Sequence, residues 1–316
     1  MPVPFSGYST HGTDGLMTDR IDTETAALLL AAHDDYRVLR RIGPPIKWGL
    51  PKNVRASRKG LYVDVETTGL DLDTDEIIEV ALLPFEYDPH TGQILHVHED
   101  LALDEFRDPG IPIPPETSQI HGITDDLVKG KCVDEEALIR LVADADLMIA
   151  HNAAFDRPML ERVWQCFEHK AWACSFADID WRAEGFGAGK LDYVLMQQGW
   201  FFDSHRAKAD CLAGVFLLGL TLPHSNEHAM RALLESARKQ QFSIRAIGAP
   251  FEMKDNLRKR GYRWDPGDPT REKAWWTIIE DAQVELKWLQ ENIYERDIQL
   301  PIKPVQPNDR FSKRIF

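Results

Sequence analysis

Five residues in the middle of the chain have side chains that could form one divalent-metal site. They are Asp64 and Glu66 in LYVDVETTGL, Asp156 in IAHNAAFD, and His205 and Asp210 in HRAKAD. Carboxylate oxygens are the ligands that Mg²⁺ and Mn²⁺ prefer, and imidazole exchanges protons near neutral pH. If the fold gathers these residues, they could activate water with the help of bound cations.

Asp64 and Glu66 end a β-rich run, and residues two apart in a strand face the same side of a sheet. An isolated Asp-x-Glu pair is more often a solvated strand edge. Here the run is apolar enough to be buried, and two buried carboxylates need a cation or a proton between them. Gly69, in the turn that follows, would let the backbone approach a ligand closely.

The other three residues are ambiguous when each is taken alone. Asp156 stands where a predicted strand meets a predicted helix, and an aspartate there is more often a helix cap. Asp210 falls within a helix rich in Ala, Leu, Val and Phe, so its carboxylate needs a partner. His205 can share a site with Asp210 only from a loop or from the first turn of that helix.

The elements that must position these residues follow from the hydrophobic pattern. Strands are predicted over residues 61–65, 76–88, 92–103 and 146–152. Helices are predicted over residues 134–143, 157–170, 190–198 and 207–220, the second of them starting at Pro158. The Pro-rich segment 109–124 is a predicted loop. Strands first, then strand and helix in alternation, indicate a mixed sheet flanked by helices.

Four parts of the chain can be distinguished. Residues 1–57 are predicted to be an N-terminal extension, with a helix from Thr23 to Arg41 and a linker in GPPIKWGLPKN. Residues 58–223 hold the five metal-site candidates. Residues 226–300 are predicted to form a small α+β module, and residues 301–316 a Pro-punctuated tail.

The net charge of −14 would disfavour a nucleic-acid partner, but the charge is unevenly distributed. Residues 226–316 hold 17 basic and 14 acidic side chains, whereas residues 1–225 hold 20 basic and 37 acidic ones. The basic residues are densest over 238–263. This pattern is typical of a surface that binds nucleic acid and equally of solvated helix faces. Likewise, Trp264, Trp275 and Trp276 could stack on bases or form the core of the module.

Other features of the sequence exclude several classes of protein. The four cysteines (Cys132, Cys166, Cys174 and Cys211) include no C-x-x-C pair, which disfavours a zinc site or a disulfide framework. The N-terminus lacks a signal-peptide pattern, and the apolar run Ala26–Ala32 is too short for a membrane span. We therefore expect a cytoplasmic protein with no membrane contact.

The segment GFGAGKL departs from a phosphate-binding loop in both spacing and final residue, so we expect no ATP site.

Together, DVETTG, HNAAFD and HRAKAD resemble in type and order the three motifs of the DEDDh exonucleases. The resemblance covers residues 61–222 and is greatest to the branch of the proofreading epsilon subunit of bacterial DNA polymerase III. IPPETSQIHGITDDLV and KLDYVL also resemble segments of that branch. The resemblance implies an α/β, ribonuclease-H-like mixed sheet flanked by helices, followed here by the smaller α+β module.

The same resemblance implies roles for individual residues. Asp64 would bridge two Mg²⁺ or Mn²⁺ ions, Glu66 and Asp210 would complete the shell of one ion, and Asp156 would hold the other. His205 would be the general base. In such sites two ions roughly 3.5–4 Å apart stabilise the attacking and leaving oxygens. The terminal nucleotide would contact Thr67, Thr68, Gly69, Leu70, His121, Asn152 and Phe155, with Leu70 as a wedge against its base.

The implied function is a 3′–5′ exonuclease that releases nucleoside 5′-monophosphates from single-stranded DNA with a free 3′ end. An enzyme that trims RNA 3′ ends would use the same residues. A polymerase proofreading subunit or a DNA-binding scaffold is a third alternative, and the complete set of five positions disfavours the scaffold. A folded C-terminal module favours an enzyme that acts alone in DNA repair or processing. A protein partner would bind through the N-terminal helix or this module.

Overall fold

A computed structural model describes residues 22–43 and 56–315 of the chain. Two compact units are present, Met1–Arg40 and Arg41–Phe316. The polar stretch before residue 22 and the predicted linker from residue 44 onward lie outside the described residues. Within the described ranges, no helix has the length and apolar character needed to cross a membrane.

The first unit contains one helix, α1 (Thr23–Ala31), among its described residues, and strand β1 (Arg40–Arg41) lies at its border. The helix was predicted to continue to Arg41 and ends ten residues earlier. Asp34 and Asp35 follow its last turn, and negative charge at the C-terminal end of a helix is unfavourable to the helix dipole.

Six strands of the second unit form a mixed sheet. They are β2 (Arg58–Thr67), β3 (Ile77–Tyr87), β4 (Ile94–Val97), β5 (Leu103–Phe106), β6 (Leu147–Ala150) and β7 (Trp172–Cys174). The strand order is β4-β3-β2-β6-β7, and β5 also pairs with β3. β2 is antiparallel to β3 and parallel to β6, which is in turn parallel to β7. The predicted mixed sheet is confirmed.

Helices cover both faces of this sheet. They are α2 (Pro115–His121), α3 (Asp125–Val128), α4 (Glu135–Asp144), α5 (Ala153–Val163), α6 (Leu191–Gln197), α7 (Ala207–Gly219) and α8 (Ala229–Ala237), and the short strand β8 (Trp200–Phe201) lies between α6 and α7. One core packs the sheet against α6, α7 and α8, and the other packs it against α4 and α5. Since α8 packs into the first core, we define residues 56–237 as the sheet domain.

Two segments of the sheet domain differ from their predicted structure. The segment 109–124 contains helix α2, which has Pro115 as its first residue and ends at Gly122 with a left-handed φ of 73°. Helix α5 begins at Ala153, five residues before Pro158. Pro158 removes the N–H that would bond to the carbonyl of Ala154, but Ala154 is exposed and this carbonyl can be solvated.

The C-terminal module, defined as residues 242–304, has a separate antiparallel sheet and a separate core. Its elements are β9 (Phe242–Ile247), α9 (Lys254–Lys259), β10 (Arg263–Asp265), β11 (Ala274–Ile279), α10 (Ala282–Leu289) and β12 (Ile302–Pro304). The strand order is β10-β11-β9-β12, and α10 continues into a π-helical turn, Gln290–Tyr294. One face of this sheet packs on the helices through Ile244, Trp275 and Leu289.

The tail, defined as residues 305–315, returns to the sheet domain. Arg157 is fully buried and donates to the backbone carbonyls of Arg310 and Asn308, at 2.5 Å each. The guanidinium of Arg310 forms a buried ion pair with Asp178 and also donates to the carbonyl of Trp172 at 3.1 Å. The segment predicted as a simple tail is therefore part of the folded structure.

Candidate active site

Strand β2 presents Asp64 and Glu66 to the side of the sheet that α7 covers. Leu61, Val63 and Val65 alternate with these residues and enter the opposite core. β2 lies inside the sheet, between β3 and β6. Neither carboxylate is therefore on an edge strand, where water would solvate it freely.

Helix α7 brings Asp210 to the same place. Asp64, Glu66 and Asp210 each offer a carboxylate oxygen, and these oxygens lie within 4.8 Å of one another. The helix approaches β2 closely, because a Cβ atom on Gly214 would lie only 2.0 Å from the ring of Tyr62. An acidic residue on this apolar helix thus faces two other carboxylates, and a shared cation would neutralise all three.

Asp156 lies in the first turn of α5 and is only 4% exposed. Its backbone N–H donates to the carbonyl of Asn152 at 3.2 Å. It is not one of the three carboxylates within 4.8 Å, but its charge contributes to the raised pKa of Asp64. Asp156 therefore lies beside the three-carboxylate group, at a position suited to a second ion.

Burial is the largest cause of a raised pKa at all four carboxylates. It raises the pKa of Glu66 to about 8, of Asp156 to about 7 and of Asp210 to about 6, and that of Asp64 well above its ordinary range. Repulsion from Asp210 is the second cause at Asp64 and Glu66. Divalent cations would replace the retained protons, and an all-oxygen donor set fits Mg²⁺ or Mn²⁺.

His205 lies on the loop before α7 and is exposed. Its φ of 67° is in the left-handed region, which residues other than glycine rarely adopt. The charge of His205 is one of the causes that lower the pKa of Asp210. The backbone N–H of Arg206 also donates to Oδ2 of Asp210 at 3.1 Å, which links the histidine loop to the carboxylate.

Glu79 on β3 is a residue of the site that the sequence analysis missed. It pairs with Glu66 across the strands and is 1% exposed. Its carboxylate accepts from Nη2 of Arg206 at 2.9 Å and from the backbone N–H of Ala207, the first residue of α7, at 3.1 Å. Glu79 thus fixes the start of the helix that carries Asp210. A glutamate inside the apolar run EIIEVALL was the available signal.

The loop after β2 has a defined structure with one exposed apolar tip. The hydroxyl of Thr68 donates to Oδ1 of Asp75 at 2.8 Å, and the backbone N–H of Asp71 donates to Oδ2 at 2.8 Å. A Cβ atom on Gly69 would lie 2.4 Å from Oδ2 of Asp75, so this carboxylate requires glycine there. Leu70 is 84% exposed, and Thr67 is buried.

Three further residues were predicted to contact the nucleotide, and their surroundings differ. His121 is buried, and its Nδ1 accepts from the backbone N–H of Ile123 at 3.0 Å. Its Nε2 has no hydrogen-bond partner among the described residues. Asn152 is exposed, whereas Phe155 is half-buried and packs against the core. Exposure makes Asn152 accessible to a ligand, and the nucleotide contact of the half-buried Phe155 stays a prediction.

His151 links the second motif to the glycine-rich segment GFGAGKL. Its Nδ1 is 2.9 Å from Oγ of Ser175, and its Nε2 is 2.8 Å from the carbonyl of Gly189. Burial lowers the pKa of His151 to about 4, so the ring is neutral at pH 7. The glycine-rich segment therefore fixes the position of His151, which directly follows β6.

Comparisons with known proteins place the matched region over the site just described. The RNase_T family model, described as exonuclease, matches residues 61–217. The DNA polymerase III PolC-type proteins of Listeria welshimeri and Listeria monocytogenes are 36% identical over 104 residues, which is 32% of this chain and 7% of each relative. The chain thus corresponds to only about 7% of the length of these curated relatives.

The solved structures to which the chain is similar include two DNA complexes. Exonuclease X with 5′ overhanging duplex DNA is 23% identical, with 54% of this chain and 99% of that chain covered and a TM-score of 0.39. E. coli exonuclease I with a dT13 oligonucleotide is 14% identical, with 71% and 63% covered and a TM-score of 0.43.

Proposed function

Because residues 61–217 belong to the RNase_T family and form a DEDD-type 3′–5′ exonuclease domain of the ribonuclease-H-like fold, we propose that this enzyme shortens single-stranded DNA from its 3′ end. The product would be a nucleoside 5′-monophosphate. The observation that carries the proposal is the set of three carboxylates, Asp64, Glu66 and Asp210, whose oxygens lie within 4.8 Å of one another.

Two ions of Mg²⁺ or Mn²⁺ would polarise the attacking water and stabilise the negative charge that develops on the phosphate. Asp64, Glu66 and Asp210 would hold one ion, and Asp156 with Asp64 would hold the other. His205 would accept the proton of the attacking water. The water oxygen forms the new bond to phosphorus, the bond to the 3′ oxygen breaks, and that oxygen takes up a proton.

Residues around the loop after β2 would seat the terminal nucleotide. Leu70 is 84% exposed and can pack against the last base. Thr67, Thr68 and Gly69 would line the site with their backbone, and His121 and Asn152 would offer polar groups. Of these, Nε2 of His121 is a buried polar atom with no protein partner in the described part of the chain.

An enzyme that acts without a polymerase is favoured by the C-terminal module. The curated relatives are PolC-type polymerases that match only 32% of this chain. The matched family region ends at residue 217, whereas the chain continues into a module with a core built around Ile244, Trp275 and Leu289. Processing of DNA ends in repair is therefore the favoured role, and proofreading for a polymerase is the alternative.

The decisive experiment compares wild type with Asp64→Asn on 5′-labelled single-stranded DNA, duplex DNA and RNA, each with Mg²⁺ or Mn²⁺. Wild type should produce a ladder of shortened 5′-labelled strands, which establishes the 3′ polarity. The variant should lose on the order of a thousandfold in rate, or about 4 kcal/mol of transition-state stabilisation. Unimpaired cleavage by Asp64→Asn would refute the proposal, and faster cleavage of RNA would favour RNA trimming.

A further inference from the structure

A cleft of about 600 Å³ lies between the sheet domain, the C-terminal module and the tail. One wall is formed by Asn152 and Phe176 of the sheet domain, and the opposite wall by Arg263 and Trp276 of the module. The tail contributes Phe311. Cavities of this size accommodate small molecules or short pieces of a polymer.

The cleft wall on the module is the face of its sheet that the helices leave uncovered. Trp275 enters the core of the module, so its neighbour Trp276 lies on the opposite face. Arg263 is the cross-strand partner of Trp276, and its guanidinium carbon lies 5.9 Å from the centroid of the Trp276 ring. A cation and an aromatic ring therefore stand side by side on this wall.

The charges of the cleft make Arg263 distinctive. Asp178 pairs with Arg310, and Glu280 accepts from Lys239 at 3.0 Å. Lys313 pairs with Asp73. Among the lining residues that the structure describes, Arg263 is the cation without an acidic partner. An unpaired guanidinium beside a ring suits a phosphate and a stacked base.

Half of the eight basic residues in the segment predicted to bind nucleic acid have an acidic partner within the protein. Arg245 pairs with the buried Asp265, and Arg260 pairs with Glu285. Arg258 lies 3.7 Å from Asp255. The number of basic residues in this segment therefore overstates its attraction for phosphate, and Arg263 in the cleft is the better candidate for a contact.

The cleft adjoins the active site. Asn152 lines the cleft, and its carbonyl accepts from the backbone N–H of Asp156 at 3.2 Å. Leu72 also lines the cleft and follows Leu70 by two residues. A strand whose 3′ end reaches the carboxylates can thus continue past Asn152 into the cleft.

We propose that this cleft binds the part of the single strand that lies upstream of the 3′ terminal nucleotide. Arg263 contacts a phosphate, and Trp276 and Phe176 stack on bases; Phe176 is 46% exposed. The inference rests on the proposed exonuclease function and adds a second contact region to it. It makes affinity dependent on strand length, because a dinucleotide cannot fill both the active site and the cleft.

The test compares Arg263→Ala with Arg258→Ala, a matched control on the same module that lies outside the cleft. Binding is measured with Ca²⁺ and with two ligands, a dinucleotide and a strand of about 12 nucleotides, which is within the span of one single-strand-binding module. Arg263→Ala should weaken binding of the longer strand about fivefold, and Arg258→Ala by less than about twofold. Loss of one phosphate contact should also lower the salt dependence of log K by about 0.7.

Two further variants separate phosphate binding from a structural role. Arg263→Lys retains the positive charge, so it should keep most of the affinity for the longer strand and most of the salt dependence. If Arg263 acted only by packing, keeping the charge would not restore the affinity. Trp276→Phe retains an aromatic ring and should bind better than Trp276→Leu. Melting temperatures establish that each variant is folded.

The outcomes separate this inference from the proposed function. If wild type cleaves none of the substrates, the exonuclease assignment is refuted. If wild type is active and Arg263→Ala binds the longer strand as tightly as wild type, the cleft proposal alone is refuted. A larger effect of Arg258→Ala than of Arg263→Ala would also overturn it, because the basic helix would then be the contact.

Discussion

At the scale of single residues, the carboxylates of the site hold protons that they would lose in an unfolded chain. The pKa of Glu66 is raised to about 8 from its ordinary value of 4.5, chiefly because the residue is buried. Between these two values the folded state binds more protons than the unfolded state. The free energy of unfolding of the metal-free protein therefore falls as the pH rises from about 4.5 to about 8.

We predict that stabilisation by Mg²⁺ or Mn²⁺ increases with pH over this window. Cations and protons compete for the same oxygens, so the metal stabilises the folded state most where fewer protons must be displaced. Thermal melts in EDTA and in Mg²⁺ at pH 6, 7 and 8 measure the difference in melting temperature. The difference in melting temperature should grow with pH in wild type. In Glu66→Gln this difference should be smaller than in wild type. A difference independent of pH would contradict the shared metal site.

Patterns in the sequence singled out the three carboxylates that the structure brings together, but not the residue that supports them. Spacing alone placed Asp64 and Glu66 on one face, because strand geometry has a fixed period. Glu79 was missed because its partner, Arg206, is 127 residues away, and no local pattern reveals such a pair. Asp156 was placed before its helix because Pro158 suggested a later start, whereas an exposed Ala154 carbonyl allowed α5 to begin at Ala153.

At the scale of elements, the contact between β3 and α7 sets the geometry of the site. Glu79 holds both the side chain of Arg206 and the first backbone N–H of α7. The backbone N–H of Arg206 in turn holds Asp210. Strand β3 and helix α7 are thus joined through Arg206, which lies directly after His205. A shift of this contact would move His205 and Asp210 together.

We predict that Glu79→Gln lowers kcat about tenfold with little change in KM, because it loosens Asp210 and His205 without touching the nucleotide. The concentration of Mg²⁺ needed for half-maximal rate should rise severalfold. Glu136→Gln is the matched control, since the Glu136 side chain is 91% exposed. A lower melting temperature with unchanged kcat and metal requirement would show that Glu79 is only structural.

Local signals explain which helices could be predicted. Helix α2 begins with Pro115 and ends at Gly122, which are favoured start and stop residues, so it could have been found in the segment assigned as a loop. Helix α7 was predicted almost to the residue, because Ala, Leu, Val and Phe fill most positions between the loop of His205 and Gly219. The C-terminal boundary of α1 was wrong because helix propensity continues weakly past Ala31.

At the scale of the whole second unit, the tail fastens the C-terminal module to the sheet domain. Arg310 and Asp178 form an ion pair whose side chains are 8% and 3% exposed. The buried guanidinium of Arg157 depends on two carbonyls of the tail. Deletion of residues after about 226 would leave Asp178 without its cation and would remove two acceptors of Arg157. Point variants in the cleft therefore test the function of the module better than truncation does.

We predict that Arg310→Ala lowers the free energy of unfolding by about 3–5 kcal/mol, because it leaves the buried carboxylate of Asp178 without a cation to neutralise it. Urea unfolding followed by fluorescence and by circular dichroism measures the loss. Arg140→Ala is the control, since its side chain is 69% exposed beside Glu136 and its loss should cost less than about 1 kcal/mol. Equal stability of Arg310→Ala and wild type would show that the tail contact does not contribute to folding.

The contact of the tail with Arg157 and Asp178 also affects the order in which the protein matures on the ribosome. The guanidinium that pairs with Asp178 belongs to Arg310, 132 residues later in the chain, and Arg157 donates to the backbone carbonyl of the same residue, 153 residues later. Arg157 directly follows Asp156, one of the carboxylates of the site. The contacts around Arg157, the neighbour of Asp156, can therefore be completed only after the C-terminal module has been synthesised.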